Sequence, residues 1–424
     1  MSARHRPAAL VAAGVALLAA LPVLLPAGLL NASIQMLIAA LFACAYSLLS
    51  GRAGMLSFGH AAYFGVGAFA TVHAMNALGG AGLLPTPLMP LAGGLAGLAF
   101  GVVAGWFATQ RSGTAFSMIT LAIAELLHSL APQLKGLFGG ESGISSMRMP
   151  AWGVTFGSTT HVYYLTLAWV LLSVALLWFH TRTPMGRLTL ALRENAHRLR
   201  FLGYDAHGVG VSAFAISAMF AGIAGGLQAL NNEAANYVVF DAAVSASVVL
   251  NSYIGGVGTF LGPALGAALM TFFGYAVSDA TRSWLLYQGI LFVLVMMFMP
   301  AGLTGLGAHA AALVRRCGVR VAAPVIVLAV AAAAAAAGGV VFVVEMLQRL
   351  CSQDYRSLAR MAAEWPPVPL FGREWMPWSP ATWAVPAALA AVAVAAGRAA
   401  RRLLHGPAPV ARDAPHAPQE GALP

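Results

Sequence analysis

The segment SGRAGMLSFGHA at residues 50–61 places three glycines, two serines, an arginine and a histidine between two long apolar runs. In hydrocarbon every backbone N–H and C=O needs a partner, so glycine-interrupted backbone is tolerated only where it is buried in protein or lines a cavity. We expect Gly54 and Gly59 to let the chain bend beside a polar passage, because glycine adopts positive φ freely. The hydroxyl of Ser57 and the imidazole of His60 would lie near the same passage.

A second glycine-rich stretch, NSYIGGVGTFLGPALGAA, occupies residues 251–268 between two short apolar runs. Paired glycine-interrupted segments in the two halves of a transporter indicate its translocation path. We therefore predict that Gly255, Gly256 and Gly258 line or gate that path together with the first cluster. The alternative is close helix packing through small residues, which requires no transport.

Ionisable groups inside apolar runs are the other candidates for chemistry. Glu125, in SMITLAIAELLHSL, is the only acid inside a predicted span, and intramembrane acids are costly and often functional. The alternative is an interior carboxyl hydrogen-bonded to a neighbouring helix. A P-loop requires G-x-x-x-x-G-K-[ST], and the one lysine, Lys135, lies in PQLKGL. Metal-binding H-E-x-x-H and hydrolytic G-x-S-x-G motifs are also absent, so an enzyme is the weaker hypothesis.

Composition fixes the class of protein. The 424 residues are 60% hydrophobic and 8% charged, whereas soluble domains carry about 25% charged residues. The chain is therefore predicted to be an all-α, polytopic membrane helical bundle with helices broken at glycine. Twelve apolar spans are predicted, at residues 8–30, 33–50, 57–78, 88–109, 113–131, 161–180, 209–230, 242–254, 261–278, 284–299, 321–344 and 381–397.

The charge distribution predicts the orientation. With the N-terminus inside, sixteen of the 23 Lys and Arg residues fall in cytoplasmic segments, as the positive-inside rule requires. The net charge of +10 thus reflects topology rather than a nucleic-acid partner. Both termini are expected in the cytoplasm.

The chain is expected to have three parts. Residues 1–310 form a transmembrane core, residues 311–400 an extension with about two further transmembrane helices, and residues 401–424 a disordered cytoplasmic tail. Four tryptophans of the extension suit the lipid headgroup region. The extension is either a surface-lying addition without function or a contact for a binding protein or for lipid.

The longest internal polar segment, at 181–208, carries five arginines and regularly spaced leucines. It predicts an amphipathic helix that begins near Pro184 and ends at Gly203. Such a helix either lies on lipid headgroups or docks into a partner.

These motifs together resemble a known family. SGRAGMLSFGHAAYFGVGAFA at 50–70 is similar to the S-G-x-x-G-x-x-S-x-G-H-A-x-F-x-x-G-A segment of branched-chain amino acid ABC transporter permeases. The resemblance covers residues 30–308 and is of the LivM type because of GGESGIS and REN. The further matching segments follow in the expected order: FSMITLAIAEL at 116–126, GGESGIS at 139–145, TPMGRLTLALREN at 183–195, LGY at 202–204, GGVGTFLGPALGA at 255–267 and FMPAGLTGL at 298–306.

The resemblance implies an ABC importer permease in the bacterial inner membrane that binds no cofactor itself. Its expected partners are a second permease subunit, two cytoplasmic ATPase subunits that hydrolyse ATP, an extracytoplasmic solute-binding protein and membrane lipid. The segment 187–204 would be the helix that couples to an ATPase. The coupling residues would be Arg187, Arg193, Glu194, Asn195 and Gly203. An ion-coupled carrier or channel is the alternative, and the residues do not choose among leucine-type amino acids, other amino acids, urea and small amides.

Overall fold

A computed structural model of the chain describes residues 6–79, 82–278, 281, 283–299, 301–361 and 365–405. The described residues form seventeen α-helices and two short antiparallel strand pairs. The predicted all-α polytopic class is therefore confirmed. The chain divides into two compact units, Met1–Leu306 and Gly307–Pro424.

The first unit holds helices α1 to α13 and the beginning of α14. Their bounds are α1 Arg6–Leu24, α2 Ala27–Ser47, α3 His60–Ala74, α4 Pro90–Ala108, α5 Thr114–Leu130, α6 Lys135–Phe138, α7 Thr159–His180, α8 Pro184–Glu194, α9 Ala196–Phe201, α10 Ala206–Asn232, α11 Ala242–Gly255, α12 Gly262–Ser278, α13 Trp284–Phe298 and α14 Gly302–Cys317. Single π-helical turns extend α2 (Leu48–Ala53) and α3 (Met75–Gly79), and 3₁₀ turns cover Thr86–Leu88 and Tyr237–Phe240. Strands β1 (Ile144–Ser145) and β2 (Ala234–Ala235) pair antiparallel.

The first span ends earlier than predicted, at Leu24 instead of residue 30, and the second begins earlier, at Ala27 instead of residue 33. Pro26 has an extended backbone (φ −66°, ψ 159°) and separates α1 from α2. A proline at this place lacks the N–H that a continuous helix needs. The predicted boundary between residues 30 and 33 therefore falls inside α2.

Helices α3, α4 and α10 form the centre of the first unit, and they pack through glycines. A Cβ on Gly222 of α10 would collide with the carbonyl of Gly93 on α4, and one on Gly225 would collide with the carbonyl of Phe64 on α3. Helices in lipid lack a strong hydrophobic force toward each other, so small residues that permit close backbone contact stabilise them. These glycines therefore allow the backbones of the three helices to touch.

Helix length limits the number of complete crossings. About 20 apolar residues are needed to cross the hydrocarbon core. Among the described residues six helical stretches are long and apolar enough: Gly28–Ala53, Thr86–Ala108, Thr159–His180, Ala206–Asn232, Val319–Cys351 and Pro380–Leu404. Helices α13 and α14, bent by 51° at their junction, would add a seventh. Four of the other predicted spans coincide with shorter apolar helices, so helix length among the described residues supports six or seven full crossings and not twelve.

The second unit consists of two long helices and a small cap. Helices α15 (Val319–Cys351) and α17 (Pro380–His405) pack against each other. Between them lie α16 (Gln353–Met361) and a hairpin of β3 (Val368–Leu370) and β4 (Arg373–Trp375). Helix α17 reaches His405, so the tail predicted from residue 401 begins too early, and residues 406–424 lie outside the described residues.

The first unit should fold without the second. Its apolar clusters are built from its own residues, so a chain shortened to residues 1–317, which keeps α14 whole, should unfold within about 5 °C of the full chain in detergent. Shortening to residues 1–278 removes Val295, which packs on Ile254 and Met270, and should lower the midpoint clearly. Thermal unfolding by circular dichroism compares the three chains. Equal decreases of the unfolding midpoint in both truncated chains would contradict the division into two units.

Candidate functional site

The glycine-rich segment at 50–61 breaks the helical course between α2 and α3. The π-helical turn Leu48–Ala53 ends at Gly54, whose φ of +71° is left-handed, and α3 begins at His60. Residues 54–59 are non-helical. Their backbone groups therefore need partners from elsewhere in the subunit.

Two hydroxyls of α5 supply partners for this break. Ser117 Oγ donates to the Leu56 carbonyl at 2.5 Å, and the Phe58 N–H donates to Thr120 Oγ1 at 3.2 Å. Because Ser117 and Thr120 are three residues apart, they lie on one face of the helix. Helix α5 thus holds the broken segment at two consecutive points.

The start of α3 is held by a third helix. The Ala61 N–H, which has no partner within its own helix, donates to Ser245 Oγ of α11 at 2.9 Å. The break is therefore fixed from both sides by side chains distant in sequence.

His60 is fully buried, with 0% of its surface exposed, and joins two serines. Its Nε2 lies 2.8 Å from Ser217 Oγ and its Nδ1 lies 3.2 Å from Ser57 Oγ. Since Ser217 donates to the Ala45 carbonyl at 2.6 Å, its oxygen must accept from Nε2–H, and Nδ1 then accepts from Ser57. His60 is accordingly the neutral Nε2–H tautomer.

An aromatic shell surrounds the His60 ring. Four rings contact it, namely Phe42, Tyr46, Tyr63 and Phe214. Ser57 is also fully buried. In this conformation neither Ser57 nor His60 faces an open passage. His60 connects α2, α3 and α10, and Ser57 bonds to His60 and to the Gly59 N–H.

Gly59 is required by packing. A Cβ at Gly59 would overlap the Thr120 carbonyl oxygen of α5. Its φ of −112° is open to any residue, so the expectation that it supplies a positive φ is wrong for Gly59 and correct for Gly54.

The second glycine cluster forms another tight junction. Gly255 packs against Gly262 and Gly266, and Gly256 has a φ of +102°. Thr304 Oγ1 donates to the Gly255 carbonyl at 3.0 Å. Gly258 differs from these, because a Cβ there would meet no atom within 4 Å.

The structure brings the two clusters together at one end of the first unit. A Cβ on Gly51 would lie 2.9 Å from the Val257 carbonyl oxygen. Arg193 of α8 donates through Nη1 to the Gly51 carbonyl, and its side chain also lies against Gly54. A cavity of about 280 Å³ lies at this junction. It is lined by Ser47, Leu48, Gly51, Arg52, Leu177, Thr181, Leu190, Arg193, Val257, Gly258, Thr259 and Phe260.

The predicted coupling helix is two helices. Asn195 has an extended backbone (φ −162°, ψ 102°), which ends α8, and its side chain accepts from the Arg198 N–H at 3.0 Å, which begins α9. Thr183 caps α8 in the same way through the Gly186 N–H. The prediction of a single helix over 187–204 is therefore wrong. The predicted end at Gly203 is close to the structure, because Gly203, with a φ of +87°, follows the end of α9.

The α8–α9 segment has one packed face and one open face. Leu188, Leu192 and Leu199 pack toward Val209 of α10. On the other side Arg187, Glu194, Asn195 and Gly203 are exposed. Phe201, 91% exposed, and Leu202 add apolar surface among these polar residues.

Glu125 lies on the surface of the first unit and not in its interior. Its neighbours on the exposed stripe of α5 recur at intervals of three and four residues, as on one helix face. The stripe consists of Ala115, Met118, Ala122, Glu125 and Ser129. The interior, hydrogen-bonded carboxyl considered as the alternative is therefore not what the structure contains.

Sequence reasoning missed the hydroxyls that hold the break. Ser117, Thr120, Ser217 and Ser245 lie in apolar helices and are almost fully buried. The signal was present, because a buried hydroxyl in an apolar helix needs a partner. Its partner was not readable, since the bonded residues are 61 to 184 positions apart.

The comparisons with known proteins agree with this architecture. A family model described as branched-chain amino acid transport system, permease component, matches residues 28–300. High-affinity branched-chain amino acid transport system permease proteins LivM of Salmonella typhimurium (strain LT2) and Escherichia coli (strain K12) are each 29% identical over 277 residues. The match covers 60% of this chain and spans 64% of each relative's length. No solved structure matches the chain.

The two kinds of glycine should respond differently to an added methyl group. Gly59→Ala forces the Cβ onto the Thr120 carbonyl and should destabilise the fold by about 1–3 kcal/mol, as overpacking does. Gly258→Ala points into open space and is the matched control. Thermal unfolding of the purified variants measures the difference, and equal midpoints would contradict the packing role of Gly59.

Proposed function

The chain belongs to the family of branched-chain amino acid transport system permease components, and from this membership we propose that it is the membrane-spanning permease subunit of an ATP-driven importer. Its solute would be a branched-chain amino acid or a related small polar solute, as the names of the two LivM relatives suggest. ATP would be hydrolysed by two partner ATPase subunits, and an extracytoplasmic protein would deliver the solute.

The contact between Arg193 and the Gly51 carbonyl carries this proposal. Arg193 belongs to α8, whose open face is exposed, and Gly51 belongs to the π-helical turn directly before the break, where the two glycine clusters meet. A force applied to α8 would reach the break directly. A subunit driven by ATP hydrolysis on another chain needs such a link between its surface and its path.

The open face of α8–α9 suits an ATPase partner. The exposed side chains of this segment include the apolar Phe201 and Leu202 and the basic Arg187 and Arg198. Aromatic and arginine residues are enriched in the central parts of protein interfaces. The alternative occupant, a lipid surface, would leave the exposed Glu194 among anionic headgroups.

The exposed stripe of α5 suits the second permease subunit. The exposed face of α4 suits contact with lipid, because its side chains are large and apolar, as in Leu95, Val103 and Phe107. The α5 face also exposes Met118 and Leu126, but it differs from α4 in carrying the small residues Ala115, Ala122 and Ser129 and the carboxyl of Glu125. A carboxyl is costly in lipid, and small residues permit close helix contact, so a protein partner fits this face.

We also propose that the chain lies in the bacterial inner membrane with the orientation that its charges predict. Segments predicted to be cytoplasmic contact one another around Gly51, Arg193 and Val257. Segments predicted to be external meet elsewhere, where Ile144 pairs with Ala235 and Arg148 forms a 3.0 Å ion pair with Glu233. Contacts within each set support the predicted alternation, with both termini in the cytoplasm.

Reconstitution tests the function. The chain, its companion permease, both ATPases and the binding protein are assembled in proteoliposomes, and uptake of radiolabelled leucine is measured with and without ATP. Uptake that depends on ATP and the binding protein, and survives collapse of ion gradients, is expected. Uptake driven by an ion gradient without ATP would favour a carrier instead.

Reversing the charge of Arg193 should break the link. Arg193→Glu loses the bond to the Gly51 carbonyl and places a carboxylate near it, so ATP-driven uptake should fall on the order of tenfold, a change of about 1.4 kcal/mol in coupling. The complex should remain assembled and hydrolyse ATP. Arg111→Glu, an exposed arginine in the α4–α5 loop, makes the same charge change as a control. Normal uptake by both variants would remove Arg193 from the coupling route.

A bulky residue should separate the two kinds of surface. Ala122→Trp on the α5 stripe should prevent the second permease from packing closely and reduce its co-purification several-fold, as buried steric conflict does. Leu95→Trp on the exposed face of α4 should leave assembly intact. Equal recovery of the companion subunit with both variants would contradict the assignment of the α5 stripe.

A further inference from the structure

The cap of the second unit lies beyond residues 28–300, so the family match assigns it no role. Its centre is the β3–β4 hairpin, with Val368 opposite Trp375 and Leu370 opposite Arg373. A two-residue turn, Phe371 and Gly372, joins the strands, and both residues have positive φ, 52° and 74°. This is the backbone of a tight hairpin turn of the primed type.

Phe371 is an unusual residue for the first turn position. Primed turns favour asparagine, aspartate or glycine there, because positive φ disfavours bulky side chains. Burial does not compensate for the strain, because Phe371 is 66% exposed. A strained, exposed aromatic residue at a hairpin tip points to contact with something outside the chain.

The depth of the tip indicates what that contact is. The Phe371 ring stacks on Phe342 of α15, with centroids 6.4 Å apart, and Trp375 meets the other part of the same ring edge-on at 5.1 Å. Phe342 lies three residues before Glu345, the first charged residue after the apolar run 321–344. At 1.5 Å per residue Phe342, whose ring the tip contacts, lies about 4–5 Å on the apolar side of Glu345. The hairpin thus turns back toward the apolar part of α15.

An exposed aromatic surface accompanies the tip. Trp378 is 74% exposed, and its ring contacts Trp365, which is also exposed, at 6.0 Å between centroids. Arg373 of β4 is exposed beside the tip. Tryptophan is enriched at the headgroup level of membranes, where its ring is apolar and its N–H is polar, and arginine pairs with phosphate.

The helices on either side of the cap share this environment. Both α15 and α17 are long enough to cross a bilayer, and most of their side chains are exposed. Arginines cluster at the other end of the pair, at Arg320, Arg398 and Arg402. A basic end and an aromatic end are the two marks of a membrane hairpin.

We propose that the β3–β4 hairpin is a lipid anchor. Phe371 inserts among the acyl chains at the bilayer interface, Trp365 and Trp378 lie at headgroup level, and Arg373 pairs with lipid phosphate. The anchor fixes the depth of the second unit and does not depend on the transport function proposed above.

A depth measurement on the full chain tests the anchor. Cys44, Cys317 and Cys351 are replaced by alanine, and a single nitroxide label is placed through Phe371→Cys or, as a control, Asp354→Cys on α16, which is exposed. Proteoliposomes of phosphatidylethanolamine and phosphatidylglycerol are probed with oxygen, which concentrates in hydrocarbon, and with a water-soluble nickel chelate. The ratio of oxygen to nickel accessibility should be on the order of tenfold higher at position 371 than at 354, as insertion to the acyl boundary predicts.

Two results would overturn the anchor. Equal ratios at the two positions would place the tip in water. Low accessibility of position 371 to both probes would mean a protein contact, either with another copy or with the rest of the chain. Added solute-binding protein that lowers accessibility at 371 from a high water-exposed value would identify a protein partner instead of lipid.

A second variant separates anchoring from folding. Phe371→Asn supplies a residue that the turn prefers, so the melting temperature in detergent should stay the same or rise. A nitroxide at Met376→Cys should then move toward water in bilayers, whereas Phe371→Leu, which keeps the apolar side chain, should leave its depth unchanged. An unchanged depth in the asparagine variant would contradict the anchor. If either variant fails to fold, the accessibility ratio of the label at position 371 decides the question.

Discussion

The first unit depends on satisfying the backbone of a broken helix within an apolar interior. Residues 54–59, between the end of the π-helical turn and His60, are non-helical, so their buried backbone groups need partners from other parts of the protein. Hydroxyls from two other helices supply partners, Ser117 and Thr120 from α5 and Ser245 from α11, while His60 ties Ser57 to Ser217 of α10. The break therefore determines how α3, α5, α10 and α11 must be placed around it. Leaving one such buried group unpaired costs about 1–3 kcal/mol. Each of these hydroxyls therefore contributes to the stability of the segment.

Much of this arrangement was predictable because it depends on local chemistry. Composition gave the polytopic class, apolar runs gave the helices, and glycine density gave the segments at 51–59 and 255–258 that meet in the structure. What was not predictable depends on distant partners. The end of α8 at Asn195 is set by a side chain that caps the following helix, and a long amphipathic pattern does not reveal it. The exposure of Glu125 depends on which face of α5 the hydroxyls turn inward, and the first two span boundaries depend on the single proline at Pro26.

The unit holds its helices together mainly through backbone contact. On α4 the residues Gly93, Gly97, Gly101 and Gly105 recur every four positions and face α10, while the large apolar side chains face outward. This inverts the pattern of a soluble helix, because lipid already solvates large apolar groups and offers no gain for burying them. In such a protein an exposed leucine indicates contact with lipid. An exposed carboxyl or a stripe of small residues indicates contact with another protein.

Tight glycine contacts also restrict where the subunit can move. Helices whose backbones touch cannot slide without collision, since packed interiors shift between discrete arrangements and do not deform smoothly. The α3–α4–α10 centre would therefore move as one body, and the conformational freedom would lie where glycines have space around them or where the chain is not helical. Gly258 has open space around it and lines the cavity at the junction, and Gly54 lies where the chain is not helical, with Arg193 of α8 against it. A permease built in this way would convert movement at its surface helices into movement at the glycine junction, while the α3–α4–α10 centre stays rigid.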